Sequence, residues 1–278
     1  MTKQTETPRK NNFMKKINFA ALAKKHLKFL PNTLTIFNSI CGFIAIIYTL
    51  RAYEHPDDMN VFCISAIMIF SAMIFDALDG LAARALDATS EKGIQMDSLS
   101  DMVTFGVAPA VLVAIMTHSM REWSLDRTQE IIVYALCSIY IGCAALRLAT
   151  YNVMAMDKEQ KKDGNYFSGL PSPGAASALC VMVFFATDCK IPLKYFAIIM
   201  PIYAAVLGLL MVSKIRYIHA GRWLFSMWKN RFKFFIFVIM LAVIAVFRLN
   251  GLVFLVTAYI ISGPLAAIFS VHRKEDQK

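Results

Sequence analysis

Residues 75–105 read FDALDGLAARALDATSEKGIQMDSLSDMVTF, and they place four aspartates, Asp76, Asp79, Asp97 and Asp101, in a setting otherwise apolar enough for lipid. A charged side chain at mid-bilayer costs about 3 kcal/mol on the insertion scale. Four uncompensated carboxylates would therefore cost roughly 10 kcal/mol, so the fold must supply something that neutralises them. Asp76, Asp79, Gly80 and Ala83 fall three, four and seven residues apart, which puts them on one helix face. Asp97 and Asp101 are four apart and share a face of the next helix. The connection, ARALDATSEKG (83–93), is short, which predicts antiparallel neighbours whose aspartate faces meet near one end of a bundle.

The rest of the chain fits that setting. Of 278 residues, 58% are hydrophobic and only 17% charged, against about 25% charged in ordinary soluble domains. Apolar runs near 20 residues span a bilayer as helices, and eight are expected, at about 33–51, 60–83, 97–117, 130–151, 172–188, 193–213, 232–248 and 252–271. No alternating-polarity strand pattern appears, so the expected class is an all-α integral membrane protein. KNNFMKKINFAALAKKHLKFLP (10–31) is basic and amphipathic rather than a cleavable leader, and predicts an interfacial helix ending at Pro31. The organisation expected is an N-terminal arm and interfacial helix (1–30), a core (31–213), and a basic loop with two further spans (214–278).

With the N-terminus cytoplasmic, 22 of the 29 Lys/Arg lie on the inner side, and the opposite loops hold Arg51, Arg121, Arg127, Lys190, Lys194 and Arg248. The positive-inside rule then orients the bundle in a cell (inner) membrane with residues 84–93 facing the cytoplasm. The net charge of +10 follows from basic loops beside anionic lipid, and no nucleic-acid partner is implied. The six cysteines form no CxxC pair and sit mostly inside spans, which argues against a disulfide or zinc framework.

Clustered carboxylates suit hard divalent cations with oxygen ligands, and two such ions clamp a phosphate for in-line displacement. Arg84, at the membrane boundary, can offer its planar fork to a phosphate oxygen. The constellation asks for a phosphorylated substrate reached from the cytoplasm.

Written as Asp76-x2-Asp79-Gly80-x2-Ala83-Arg84-x8-Gly93-x3-Asp97-x3-Asp101, the run resembles the signature of the CDP-alcohol phosphotransferase family at all eight fixed positions and gaps. The resemblance implies a six-helix core over about 31–213 and a homodimer. It also implies two Mg2+ or Mn2+ ions on Asp76, Asp79, Asp97 and Asp101, with Asp101 the general base. Gly80, Ala83, Arg84 and Gly93 would contact the CDP-lipid, and Ser90 matches a position at the diphosphate. PNTLTIFNSICG (31–42) looks like the family's first-span opening, which would turn Thr35 and Asn38 toward the nucleotide.

The flanks bear on the acceptor. DSLSDMVTFGVAP (97–109), ALRLATYN (145–152) and GLPSPGAA (169–176) resemble DSLxDxVSFGVAP, ARLARFN and GLPxPxAA of the family's serine-using branch, with Thr150 in place of an arginine. The implied substrates are CDP-diacylglycerol, held among membrane lipids, and L-serine. Arg147 is then expected at the serine carboxylate, with a phosphate contact or snorkelling as its alternatives; Asn152 is expected at the ammonium, or as a helix-end cap. The competing readings are the same chemistry with glycerol 3-phosphate or inositol phosphate, a membrane prenyltransferase, and a cation transporter. A phosphorylated acceptor would call for more cations than Arg147. A prenyltransferase separates its aspartate motifs far more widely, and a transporter gives Arg84 no role beside the carboxylates.

Overall fold

The computed structural model describes residues 29–55, 58–86, 88, 90–119, 126–156, 167–188, 193–217, 235, 240 and 250–267. The expected interfacial helix, the run 232–248 apart from two positions, and most of the basic loop before it lie outside the described residues. The architecture is helical: α1 (Leu30–Leu50), α2 (Met59–Ala85), α3 (Glu91–Asp101), a π-helical turn (Met102–Val107), α4 (Ala108–His118), α5 (Arg127–Met156), α6 (Ser172–Asp188) and α7 (Leu193–Val212), then α8 (Asn250–Ala267). Among the described residues, five stretches are long and apolar enough to cross a membrane, with α3, the π-turn and α4 forming one of them, and α6 and α7 are shorter apolar helices. The strand content among the described residues is one antiparallel pair of two-residue segments, β1 (Phe167–Ser168) against β2 (Arg216–Tyr217).

Helix α1 is amphipathic in the sense that lipid demands. Its buried stripe, Pro31, Thr35, Asn38, Gly42, Ala45 and Thr49, repeats at three- and four-residue spacing and is small or polar. Its exposed face carries Ile36, Phe37, Ile40, Phe43 and Ile47. Lipid is as apolar as a leucine, so helices in a membrane associate through close backbone approach and interhelical hydrogen bonds. Both occur here. A Cβ on Gly42 would stand 2.6 Å from Thr104 Oγ1, and Thr49 Oγ1 lies 2.7 Å from Ser65 Oγ, which also donates to the Ala45 carbonyl at 2.8 Å.

A second set of bonds registers α1 against α3. Ser39 Oγ donates to Ser100 Oγ (2.9 Å), Ser100 Oγ donates to the Thr35 carbonyl (3.0 Å), and Thr104 Oγ1 donates to the Asn38 carbonyl (3.3 Å). The π-turn starts directly after Asp101. The residue four beyond Phe105 is Pro109, which has no amide to donate to the Phe105 carbonyl, and the buried Tyr140 hydroxyl donates to that carbonyl at 2.8 Å. The end of α3 is thus pinned on two sides.

The aspartates of α2 and α3 do come together, but both helices lean on α1 and contact between α2 and α3 themselves is sparse. The aspartate faces meet across a cleft instead of a helix seam, which leaves room between carboxylates that a tight seam would force together.

Candidate active site

The cleft is lined by Thr35 from α1, Asp79, Gly80 and Ala83 from α2, and Ser90, Gly93 and Asp97 at the start of α3. Seven positions singled out in the sequence therefore share one concavity. Ser90 is the N-cap of α3, accepting from the Gly93 amide at 3.0 Å. That bond fixes the turn which brings α3 back toward α2, so Ser90 has a structural job beside the expected diphosphate contact. A Cβ on Gly80 would meet only Arg84 Nη2, at 3.9 Å, so the space before Gly80 is open to a ligand. Arg84 Nε donates to the Gly80 carbonyl at 2.9 Å, which folds the guanidinium back along α2 above this opening.

Ligand atoms of Asp76, Asp97 and Asp101 all lie within 4.8 Å of one another. Asp79 is turned toward α1, where its Oδ2 accepts from Thr35 Oγ1 at 2.8 Å. Asp101 Oδ1 accepts from Asn38 Nδ2 at 3.2 Å. Asp97 Oδ1 is buried and has no hydrogen-bond partner. A buried carboxylate oxygen without a donor is costly, and three converging carboxylates repel one another. A hard cation answers both, and an all-oxygen donor set is what Mg2+ or Mn2+ prefers. The residues fit the group.

Asn38 departs from its expected position. It is fully buried, behind Asp101 rather than on the cleft wall, because α1 crosses α3 closely at this level.

Arg147 falls into a neighbouring groove between α5 and α7, lined by Leu146, Arg147, Thr150, Tyr151, Met154, Met211 and Val212. Arg147 Nη1 donates to the Met211 carbonyl at 3.3 Å, at the C-terminal end of α7, where a cation is favoured by the helix dipole. Asn152 Oδ1 accepts from Ser98 Oγ at 2.7 Å, so it ties α5 to α3 one residue beyond Asp97 and is not a helix-end cap. Thr150 Oγ1 donates to the Leu146 carbonyl of its own helix.

Sequence reasoning passed over Tyr151. Its phenol lies within electrostatic reach of Asp76, Asp97, Arg84 and Arg147, so it stands where the groove meets the aspartate cleft. The available signal was its place one helical turn beyond Arg147 and next to Asn152.

Comparison with known proteins identifies the family. The chain is 33% identical over 208 residues to the CDP-diacylglycerol–serine O-phosphatidyltransferase of Bacillus subtilis, covering 71% of this chain and 99% of that protein. It is 30% identical over 245 residues to the protein of the same name from Helicobacter pylori strain J99, covering 86% and 91%. With the one from Methanocaldococcus jannaschii it shares 34% identity over 183 residues, covering 66% and 70%. The CDP-alcohol phosphatidyltransferase family model matches residues 28–228, a stretch that contains the cleft, the aspartates and the adjoining groove, and the chain belongs to that family.

Proposed function

We propose that this membrane protein transfers the phosphatidyl group of CDP-diacylglycerol to L-serine, giving phosphatidylserine and CMP. The observation that carries the chemistry is the convergence of Asp76, Asp97 and Asp101 beneath an open cleft, with Asp97 Oδ1 buried and unpartnered. The acceptor is supported by the serine in the relatives' names and by the stretches 97–109 and 169–176.

In this reading Asp76, Asp79, Asp97 and Asp101 hold two Mg2+ or Mn2+ ions. When bound, these supply charge neutralisation for the diphosphate and for departing CMP. Gly80 lets the diphosphate approach the α2 backbone, and Arg84 reaches its oxygens from above. Thr35 positions Asp79. Asp101 accepts the proton of the serine hydroxyl, the serine oxygen forms a bond to the lipid-side phosphorus, and the phosphorus–oxygen bond to CMP breaks with its electron pair leaving on CMP. Arg147 pairs with the serine carboxylate, and Asn152, whose Oδ1 keeps a second lone pair, accepts from the ammonium. Water-soluble serine and a bilayer-anchored donor meet at the cytoplasmic end of the bundle in the inner membrane. The full chain has eight spans, with residues 31–213 the catalytic core and 214–278 an extension. It works as a homodimer and has no nucleic-acid partner.

Purified protein with a divalent cation is expected to form phosphatidylserine and CMP from CDP-diacylglycerol plus L-serine. Product with glycerol 3-phosphate and none with serine would remove the acceptor assignment and leave the family intact.

The orientation is tested separately. Cysteines replacing Lys92 and, outside the described residues, Lys161 in a cysteine-free background should resist impermeant thiol reagents added to intact cells. Ready labelling from outside would reverse the topology.

A further inference from the structure

We infer that Asn38 is a positioning residue for Asp101, holding its carboxylate in the one orientation from which it can serve the acceptor hydroxyl. The inference rests on the reading of Asp101 as the base. Asn38 is completely buried, so it cannot touch a nucleotide in the cleft. Its Nδ2 donates to Asp101 Oδ1 at 3.2 Å across the α1–α3 contact. Its own Oδ1 is buried without a partner.

The opposite amide orientation would set a carbonyl oxygen against the carboxylate, so the nitrogen must face Asp101. The side chain therefore leaves one polar atom unsatisfied in order to make this single bond. A residue kept for packing alone would be better replaced by leucine of similar volume, because burying an unpaired oxygen is unfavourable. The backbone around Asn38 is also held, since its carbonyl accepts from Thr104 Oγ1 in the π-turn and its neighbour Ser39 bonds Ser100. Asn38 and Asp101 thus face each other from two helices locked in register. With one carboxylate oxygen engaged by the amide, rotation of the Asp101 carboxylate is restrained, and the side chain is presented in one pose to Asp76, Asp97 and the acceptor.

The test uses the full-length protein in detergent with Asn38→Leu, Asp101→Asn and the double variant, and Asn38→Ser as a milder substitution. Turnover of Asn38→Leu with serine should fall about 10- to 100-fold, the scale on which sub-ångström misplacement of a reacting group acts. Calorimetric affinities for Mn2+ alone and for CDP-diacylglycerol should stay within about threefold of the parent, because the other carboxylates and the cleft wall are untouched. In the Asp101→Asn background the Asn38 substitution should have no further effect on turnover. Asn38→Ser should show the same split to a smaller degree. Weakened CDP-lipid binding with unchanged turnover would make Asn38 a nucleotide contact and overturn the inference. Additive losses in the double variant would overturn it too, as would a fall in melting temperature that takes cation binding, lipid binding and turnover down together in both Asn38 variants. If the parent protein prefers a different alcohol, the acceptor assignment fails by itself, and the same split is read with that alcohol.

Discussion

Asp76→Asn should lose CDP-lipid binding together with activity, whereas Asp101→Asn should lose turnover and keep appreciable binding. The difference follows from where the two carboxylates stand. Asp76 is on α2, one turn from Asp79, and reaches across the cleft to the α3 pair Asp97 and Asp101. It is the member that joins the two helices' carboxylates, and removing its charge weakens the cluster's hold on a cation and, through it, on the diphosphate. Asp101 sits one turn along α3 from Asp97, is nearly buried, and is already engaged by Asn38. Its amide replacement keeps a carbonyl oxygen that can accept the Asn38 bond, so the local fold survives and three carboxylates remain. What the amide cannot do is take a proton. Turnover of Asp101→Asn is expected to fall on the order of a hundredfold or more, the usual contribution of a positioned general base. Titration of each variant with CDP-diacylglycerol in magnesium, beside its turnover, decides the matter. Equal loss of binding in both would make Asp101 chiefly a cation ligand and send the search for the base elsewhere.

The parts of this site that were legible beforehand are those written in local spacing. Asp76, Asp79, Gly80 and Ala83 declare a shared face through helical geometry alone, and so do Asp97 and Asp101. That the two faces would meet followed from the short connection. That they would meet across a cleft did not, because both lean on α1, and the close approach of α1 to the π-turn after α3 depends on Gly42 and Thr104 fitting together. The burial of Asn38 was hidden for the same reason. A polar residue on a membrane helix reads as a ligand contact until its partner across the interface is known. The buried stripe of α1 was there to be seen, since small and polar residues recur at three- and four-residue spacing, yet it reverses the soluble-protein habit of burying the largest apolar side chains. The π-turn after Asp101 has no comparable signature. Pro109 leaves the Phe105 carbonyl without an amide donor four residues on, and Tyr140 from another helix satisfies it, a pairing that local sequence cannot specify.

Gly169→Ala is expected to be the most damaging single-methyl change outside the cleft, and its effect should reach serine before it reaches the CDP-lipid. Gly169 has φ +85°, a backbone conformation that costs a side chain about 1–2 kcal/mol. An added Cβ would also overlap the Met211 backbone carbonyl at the end of α7. The glycine cannot retreat freely. Its amide donates to the Ile215 carbonyl at 2.8 Å, and the Leu170 amide donates to the Leu210 carbonyl at 3.0 Å. Strain and overlap together should cost roughly 3–5 kcal/mol, a fall in melting temperature on the order of 10 °C for a chain of this size. The functional consequence follows from the carbonyl that is displaced, because Met211 O is also the acceptor for Arg147 Nη1. The GLPSP turn, the end of α7 and Arg147 are therefore one mechanical unit, and disturbing the turn moves the guanidinium proposed to take the serine carboxylate. CDP-diacylglycerol affinity depends on the aspartate cleft, which this unit does not line. At a temperature where the variant is folded, the KM for serine should rise at least about tenfold, the loss of one charge-assisted pair, while CDP-lipid affinity stays near that of the parent. An unchanged serine KM in a clearly destabilised variant would mean that Arg147 serves only to cap α7, and the acceptor carboxylate would need another partner.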